Sequence, residues 1–186
     1  MNRRVCPWWG GYFIDNRFRR WLHDPERILS PHVRPGMTVM DFGCGMGMFA
    51  IAFARLVGDQ GRVIAIDVQQ KMLDVLVRRA KKAGVAERIH GHRCGADSIE
   101  FDDAIDFALA FYSVHEVPDQ RRLLGEIGIC LRPQGRMLVV EPIKHVPAKD
   151  FETMVSVAEE IGFEADERPR ICLSRAVVLR KGRATS

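Results

Sequence analysis

Val39-Met40-Asp41-Phe42-Gly43-Cys44-Gly45-Met46-Gly47 places three glycines at alternate positions, where a short apolar strand from Met37 to Phe42 hands over to an apolar helix from Met48 to Val57. Glycine accepts left-handed backbone and lets the chain approach a ligand closely. A helix amino terminus adds unpaired N–H groups that suit a negative group. Strand, glycine turn and helix in that order make a nucleotide-type binding corner. A dinucleotide fingerprint, Gly-x-Gly-x-x-Gly, needs its third glycine at position 48, which is Met48 here. Asp41, two residues before the first glycine, would repel a diphosphate but attract the cationic α-amino end of a zwitterion. S-adenosylmethionine carries that amine, a carboxylate for the helix terminus, and no phosphate.

Outward from this corner the chain alternates. A strand is expected over Arg62 to Asp67, a helix over Gln69 to Ala83 closed by Gly84, and a weak strand over Ile89 to Cys94. A strong strand follows over Ile105 to Phe111, then a helix over Asp119 to Leu131 ended by Pro133 and Gly135, and a strand over Arg136 to Glu141. A helix from Ala148 to Ile161 precedes two last strands, Phe163 to Pro169 and Ala176 to Lys181. Strands alternating with helices imply crossover connections and a largely parallel sheet covered on both faces. The last two strands are too close for a crossover and should form an antiparallel hairpin. Upstream, a helix near Phe13 to His23 and another opening at Asp24-Pro25 are expected, with Asp as cap and Pro in the first turn.

The run Asp41-Phe42-Gly43-Cys44-Gly45-Met46-Gly47 resembles the first motif of class I S-adenosylmethionine-dependent methyltransferases. The similarity runs from about Pro35 to the carboxyl terminus. It implies an α/β, Rossmann-like three-layer sandwich with a mostly parallel seven-stranded sheet in the order 3-2-1-4-5-7-6 and a terminal antiparallel hairpin. It also implies transfer of a methyl group from S-adenosylmethionine, releasing S-adenosylhomocysteine. Asp67, which ends the second strand 20 residues after Gly47, matches the acidic residue that binds both ribose hydroxyls in this family; a carboxylate can accept from two hydroxyls at once. Asp97 in Gly95-Ala96-Asp97-Ser98 matches the acidic residue that bonds the adenine amino group, with a turn residue as the competing reading. Val68, Met72 and Ile99 would flank the adenine. With Asp41, Gly43, Cys44, Gly45 and Gly47, residues Ser98 and Phe111 complete the expected cofactor set. Packing is the competing reading for Met46, Met48 and Met72.

Ligands of open α/β sheets bind beyond the carboxyl ends of the strands, so Phe111-Tyr112-Ser113-Val114-His115-Glu116-Val117 should line the reaction site. In the resembling family this loop faces the methyl group. It lacks the Asn-Pro-Pro-Tyr or Asp-Pro-Pro-Tyr signature of enzymes acting on nucleic-acid bases. His115 or Glu116 is a candidate proton acceptor; the competing reading has His115 orienting a loop and Glu116 facing solvent. Tyr112 is expected as a wall of the acceptor site. Trp8, Trp9 and Tyr12 are too apolar to leave exposed. They form either a lid and acceptor wall or a plug against the sheet. His115-Glu116-Val117-Pro118-Asp119 and Leu131-Arg132-Pro133-Gln134-Gly135-Arg136 resemble the branch that includes the ubiquinone and menaquinone methyltransferases.

With 186 residues, the chain fits one methyltransferase domain over 1–186: a lid or cap segment over 1–36 and a Rossmann-like core over 37–186. It is 47% hydrophobic and 28% charged, the balance of an ordinary globular protein. No apolar run reaches the roughly 20 residues of a membrane span, and the amino terminus lacks the apolar core of a signal peptide. A cytoplasmic location is the expectation. Five cysteines, an odd number and without a Cys-x-x-Cys pair, signal neither a disulfide framework nor a metal site. A net charge of +4 is spread over separate basic runs, so nucleic acid is not the expected partner and a small molecule is. An RNA or protein methyltransferase and a non-catalytic cofactor-binding module stay open as alternatives. The acceptor atom and the oligomeric state are not written in the sequence.

Overall fold

The computed structural model describes residues 23–95 and 98–182. Trp8, Trp9, Tyr12, Asp97 and all but the last residue of the helix expected over 13–23 lie outside the described residues. The chain divides into two compact units, parting between Cys94 and Gly95.

The first unit opens with α1 (Pro25–Leu29), where the Asp24 carboxylate accepts the N–H groups of Glu26 and Arg27 and proline takes the first turn. Strands β1 (Thr38–Phe42), β2 (Arg62–Asp67) and β3 (Ile89–Arg93) follow, joined by helices α2 (Met48–Leu56) and α3 (Gln70–Lys82). All three strands are parallel, with Val39 beside Val63 and Val63 beside Ile89. Val63 to Ile66 are all buried, the continuous apolar run of a strand covered on both faces. Helix α2 is buried from Met48 through Ala54, as a helix apolar on every side must be. Helix α3 buries Met72, Leu73, Val75, Leu76 and Ala80 at helical spacing. Its basic residues Arg78, Lys81 and Lys82 are exposed, a solvated face.

In the second unit β4 (Ile105–Phe111) leads through a one-turn 3-10 helix, Val114–Glu116, to α4 (Gln120–Cys130), β5 (Leu131–Pro142), α5 (Ala148–Glu160), β6 (Phe163–Glu167) and β7 (Ser174–Lys181). Asp119 caps α4 by accepting the Arg122 N–H at 2.9 Å. Strands β4 and β5 are parallel, whereas β7 lies antiparallel to both β5 and β6. The expected terminal hairpin is therefore present, and the seven strands take the order 3-2-1-4-5-7-6.

One boundary differs from the expectation. Pro133 and Gly135 look like a break before a strand at Arg136, but β5 starts directly after α4, with Leu131 beside Ile105. The register then jumps so that Arg136 sits beside Phe107. Residues 132–135 are taken up as an irregularity, with Gln134 in left-handed backbone at φ 65°. Among the described residues, no helix is long and apolar enough to cross a membrane.

Candidate functional site

The glycine turn closes the carboxyl end of β1. Gly43, Gly45 and Gly47 have φ of 70°, 52° and 86°, the left-handed region where a side chain is strained. The N–H groups of Gly43 and Cys44 both donate to the Ile66 carbonyl at 2.9 Å, pinning the turn to β2. A Cβ on Gly47 would collide with Cδ1 of Leu76, a fully buried side chain that would have to shift. A Cβ on Gly45 would meet nothing within 4 Å among the described residues. Gly47 is thus required by packing, while Gly45 borders open space.

Two carboxylates converge on this turn. Asp67, at the end of β2, accepts the Gly45 N–H through Oδ2 at 2.9 Å and the Gln69 N–H through Oδ1 at 2.8 Å. Burial raises its pKa above the ordinary value, against the pull of the Gln69, Gly45 and Val68 N–H groups. Asp41 is buried deeper, 2% exposed, and its Oδ2 has no hydrogen-bond partner among the described residues. Burial drives its pKa up to about 7, opposed by the Ala50 N–H in the first turn of α2 and assisted by the nearby Asp67 charge. A buried carboxylate oxygen without a partner is costly unless a cation or donor completes it.

Cys44 is buried beside these acids, and its thiol is pushed well above the ordinary range, first by burial and then by Asp41 and Asp67. It remains protonated and unreactive. Val68 is half-buried. Met72 packs with Met46 and Val75, and the Arg79 guanidinium donates to the Met46 carbonyl at 3.2 Å, tying α3 to the turn.

In the second unit the other expected residues lie before β4, at Ser98 and Ile99, at its end, at Phe111, and in the loop after it, at Tyr112, His115 and Glu116. Phe111 is buried at the end of the strand, its ring 4.5 Å from that of Tyr112. Tyr112 has φ 61°, held by its N–H donating to the Val140 carbonyl at 2.8 Å and by a 2.7 Å hydrogen bond between its hydroxyl and that of Ser174. Ser98 hydrogen-bonds Glu126 at 3.2 Å, and Glu126 also accepts the N–H of Ile99, which is buried. Glu116 is half-buried and its N–H donates to the Ser113 carbonyl at 3.2 Å.

His115 is paired with a residue the sequence reading left aside. Its Nδ1 lies 2.5 Å from Oε2 of Glu141, and its backbone N–H donates to Oε1 at 3.2 Å. Glu141 is 2% exposed near the end of β5. A signal was present: an acidic residue follows the apolar run Met137 to Val140 just as Asp67 follows Val63 to Ile66.

Comparison with known proteins follows the same line. The sequence profile of the methyltransferase domain family matches residues 39–135. The ubiquinone/menaquinone biosynthesis C-methyltransferase UbiE of Vibrio campbellii is 32% identical over 142 residues, which cover 72% of this chain and 55% of that protein. The demethylmenaquinone methyltransferase of Bacillus cereus is 29% identical over 128 residues, 67% of this chain and 52% of its own length. The chain therefore spans about half the length of the curated relatives it matches. Among solved structures, a SAM dependent methyltransferase from Aquifex aeolicus superposes with a TM-score of 0.85 at 22% identity, covering 95% of this chain and 99% of that one. A second, from Methanococcus maripaludis, gives 0.79 at 17% identity, covering 98% and 97%.

Proposed function

This chain belongs to the family of methyltransferase domains, and on that premise we propose that it transfers a methyl group from S-adenosylmethionine to a small molecule, with residues 37–186 acting as one catalytic domain. The observation that carries the reading is Asp41: a buried carboxylate, with one oxygen unpartnered among the described residues, beside a left-handed glycine turn suits a cationic amine. When bound, the cofactor supplies an electrophilic methyl group on a sulfonium. The rest is done by the chain.

Asp41 meets the α-amino end of the cofactor, and the backbone of Gly43 to Gly47, Cys44 included, follows its methionine part. Asp67 receives the ribose hydroxyls while holding Gly45 in place. In the first unit Val68 and Met72 border the adenine; Ile99, Ser98 and Phe111 of the second unit are its further candidates, and Asp97 lies outside the described residues. Tyr112 borders the acceptor, and His115 or Glu116 takes its proton. Methyl transfer is an in-line displacement, so positioning the acceptor at about 3 to 3.5 Å supplies most of the acceleration. The names of the relatives, a ubiquinone/menaquinone biosynthesis C-methyltransferase and a demethylmenaquinone methyltransferase, support a quinone-related small molecule as the acceptor class.

Substitution at the ribose position tests the reading. Asp67→Ala should weaken S-adenosylmethionine binding by tenfold or more, in the range of about 1.5 to 3 kcal/mol for lost hydrogen bonds to a charged group. Unchanged affinity in a folded variant, read by isothermal titration, would remove Asp67 from the cofactor site.

A further inference from the structure

We propose that Glu141 is a positioning residue that sets His115 up as the proton acceptor of the reaction. The acceptor molecule then belongs to the class that gives up a proton on methylation: an O–H, an N–H, or a ring carbon activated by an ionising hydroxyl. The inference rests on the methyl-transfer reading for the identity of the reaction, while the pairing itself stands on geometry.

A carboxylate as buried as Glu141 is retained only when its oxygens are hydrogen-bonded. Both oxygens are used, and both go to one residue: Oε1 to the backbone N–H of His115 at 3.2 Å, Oε2 to Nδ1 of its ring at 2.5 Å. A carboxylate that merely capped the 3-10 turn would need the first bond alone. The second fixes the ring. A carboxylate is an acceptor, so Nδ1 carries the proton and the lone pair of the neutral imidazole lies on Nε2.

The pair also stands where chemistry is expected. His115 follows β4 and Glu141 lies near the end of β5, two parallel strands in register at Phe111 and Val140. Ligands of open α/β sheets bind beyond such carboxyl ends. The ring is partly exposed, at 23% of its side chain, whereas Glu141 is not. Tyr112 in the same loop has strained, left-handed backbone, the kind of local cost that concentrates at functional sites. Glu116 is the next residue of the same turn, and the His145 ring, on the loop after β5, has its centroid 6.1 Å from that of His115.

The proton and electron balance is complete. Nε2 of His115 takes the acceptor's proton as the acceptor's electron pair bonds the methyl carbon. The carbon–sulfur pair leaves with sulfur, which becomes a neutral thioether. The resulting imidazolium is held against the Glu141 carboxylate until its proton passes to water.

Two-bond nitrogen–proton NMR of the nitrogen-15-labelled, ligand-free chain tests this, with His115 assigned by comparison with His115→Gln. The expected spectrum at alkaline pH shows Nδ1 protonated and Nε2 bare. The His115 titration midpoint should fall by about one pH unit or more in Glu141→Gln, since a neighbouring carboxylate favours the charged ring. A wild-type ring protonated on Nε2, or a Glu141→Gln midpoint equal to that of the wild type, overturns the proposal. Titration of the same samples with S-adenosylmethionine reports separately on the methyl-transfer reading. Glu141→Gln should bind the cofactor within about twofold of wild type, so loss of cofactor binding in every sample would sink that reading without touching the pair.

Discussion

At Asp41 burial outweighs every compensating contact, because the Ala50 N–H lowers the pKa while desolvation and Asp67 carry it from 3.8 to about 7. A raised folded-state pKa means the native chain holds a proton that the unfolded chain has lost, so this group's contribution to stability is full below about pH 4 and disappears as pH rises through about 7. Thermal unfolding of the ligand-free protein should therefore show Asp41→Asn gaining on the wild type between about pH 4 and pH 7; a pH-independent difference would contradict the burial argument. Cofactor binding runs the other way. A cationic amine selects the ionised carboxylate, so wild-type affinity should fall below about pH 7, by up to about tenfold per pH unit, and Asp41→Asn should flatten that dependence. The neighbouring glycines separate packing from binding. Gly47→Ala drives a methyl group into Leu76 as well as straining φ, and should cost about 1 to 3 kcal/mol in denaturant unfolding. Gly45→Ala meets no atom of the described residues within 4 Å, so its cost should stay near about 1 to 2 kcal/mol for left-handed backbone. Its larger effect should be on cofactor affinity, and equal behaviour of the two variants would count against this division.

Among the elements, the sheet edges and the sheet centre are held by different forces. Edge strand β6 carries Glu164, Asp166 and Glu167, which meet Arg180 and Arg136 at its exposed side. Such pairs blunt an edge against unwanted pairing but contribute less than about 1 kcal/mol each. Leu138, in the middle of β5, is fully buried, and its truncation costs about 2 to 5 kcal/mol. Denaturant unfolding of Arg136→Met and Leu138→Ala should reproduce that order, and a larger loss at Arg136 would show that the ion pairs, not the apolar run, hold the hairpin. The same contrast explains what could be read in the sequence. Arg62 to Asp67 and Ile105 to Phe111 are legible to the residue because each is built on a continuous apolar run, Val63 to Ile66 and Phe107 to Phe111. The start of β5 is not, because Pro133 and Gly135 signal a break locally while pairing of Leu131 with Ile105 extends the strand. Likewise the glycine turn, Asp41 and Asp67 form contiguous motifs. Glu141 is found only through its pairing with a histidine 26 positions away. Tyr112, expected as a wall, has its hydroxyl bound to Ser174, 62 positions on.

For the molecule as a whole, family membership and the sheet order support one account, in which the glycine turn is a cofactor site. Mass action then links binding to stability. S-adenosylmethionine at a hundred times its Kd should stabilise the folded chain by about 2.7 kcal/mol, raising the melting temperature, and Asp67→Ala should show little of that rise at the same concentration. The basic residues of α3 point to solvent in one unit and do not alter this expectation. The most direct measurement is isothermal titration of the purified chain with S-adenosylmethionine, S-adenosylhomocysteine and NAD in parallel. The account predicts micromolar binding of the first two and none of NAD; binding of NAD alone, or of none of the three, would contradict it.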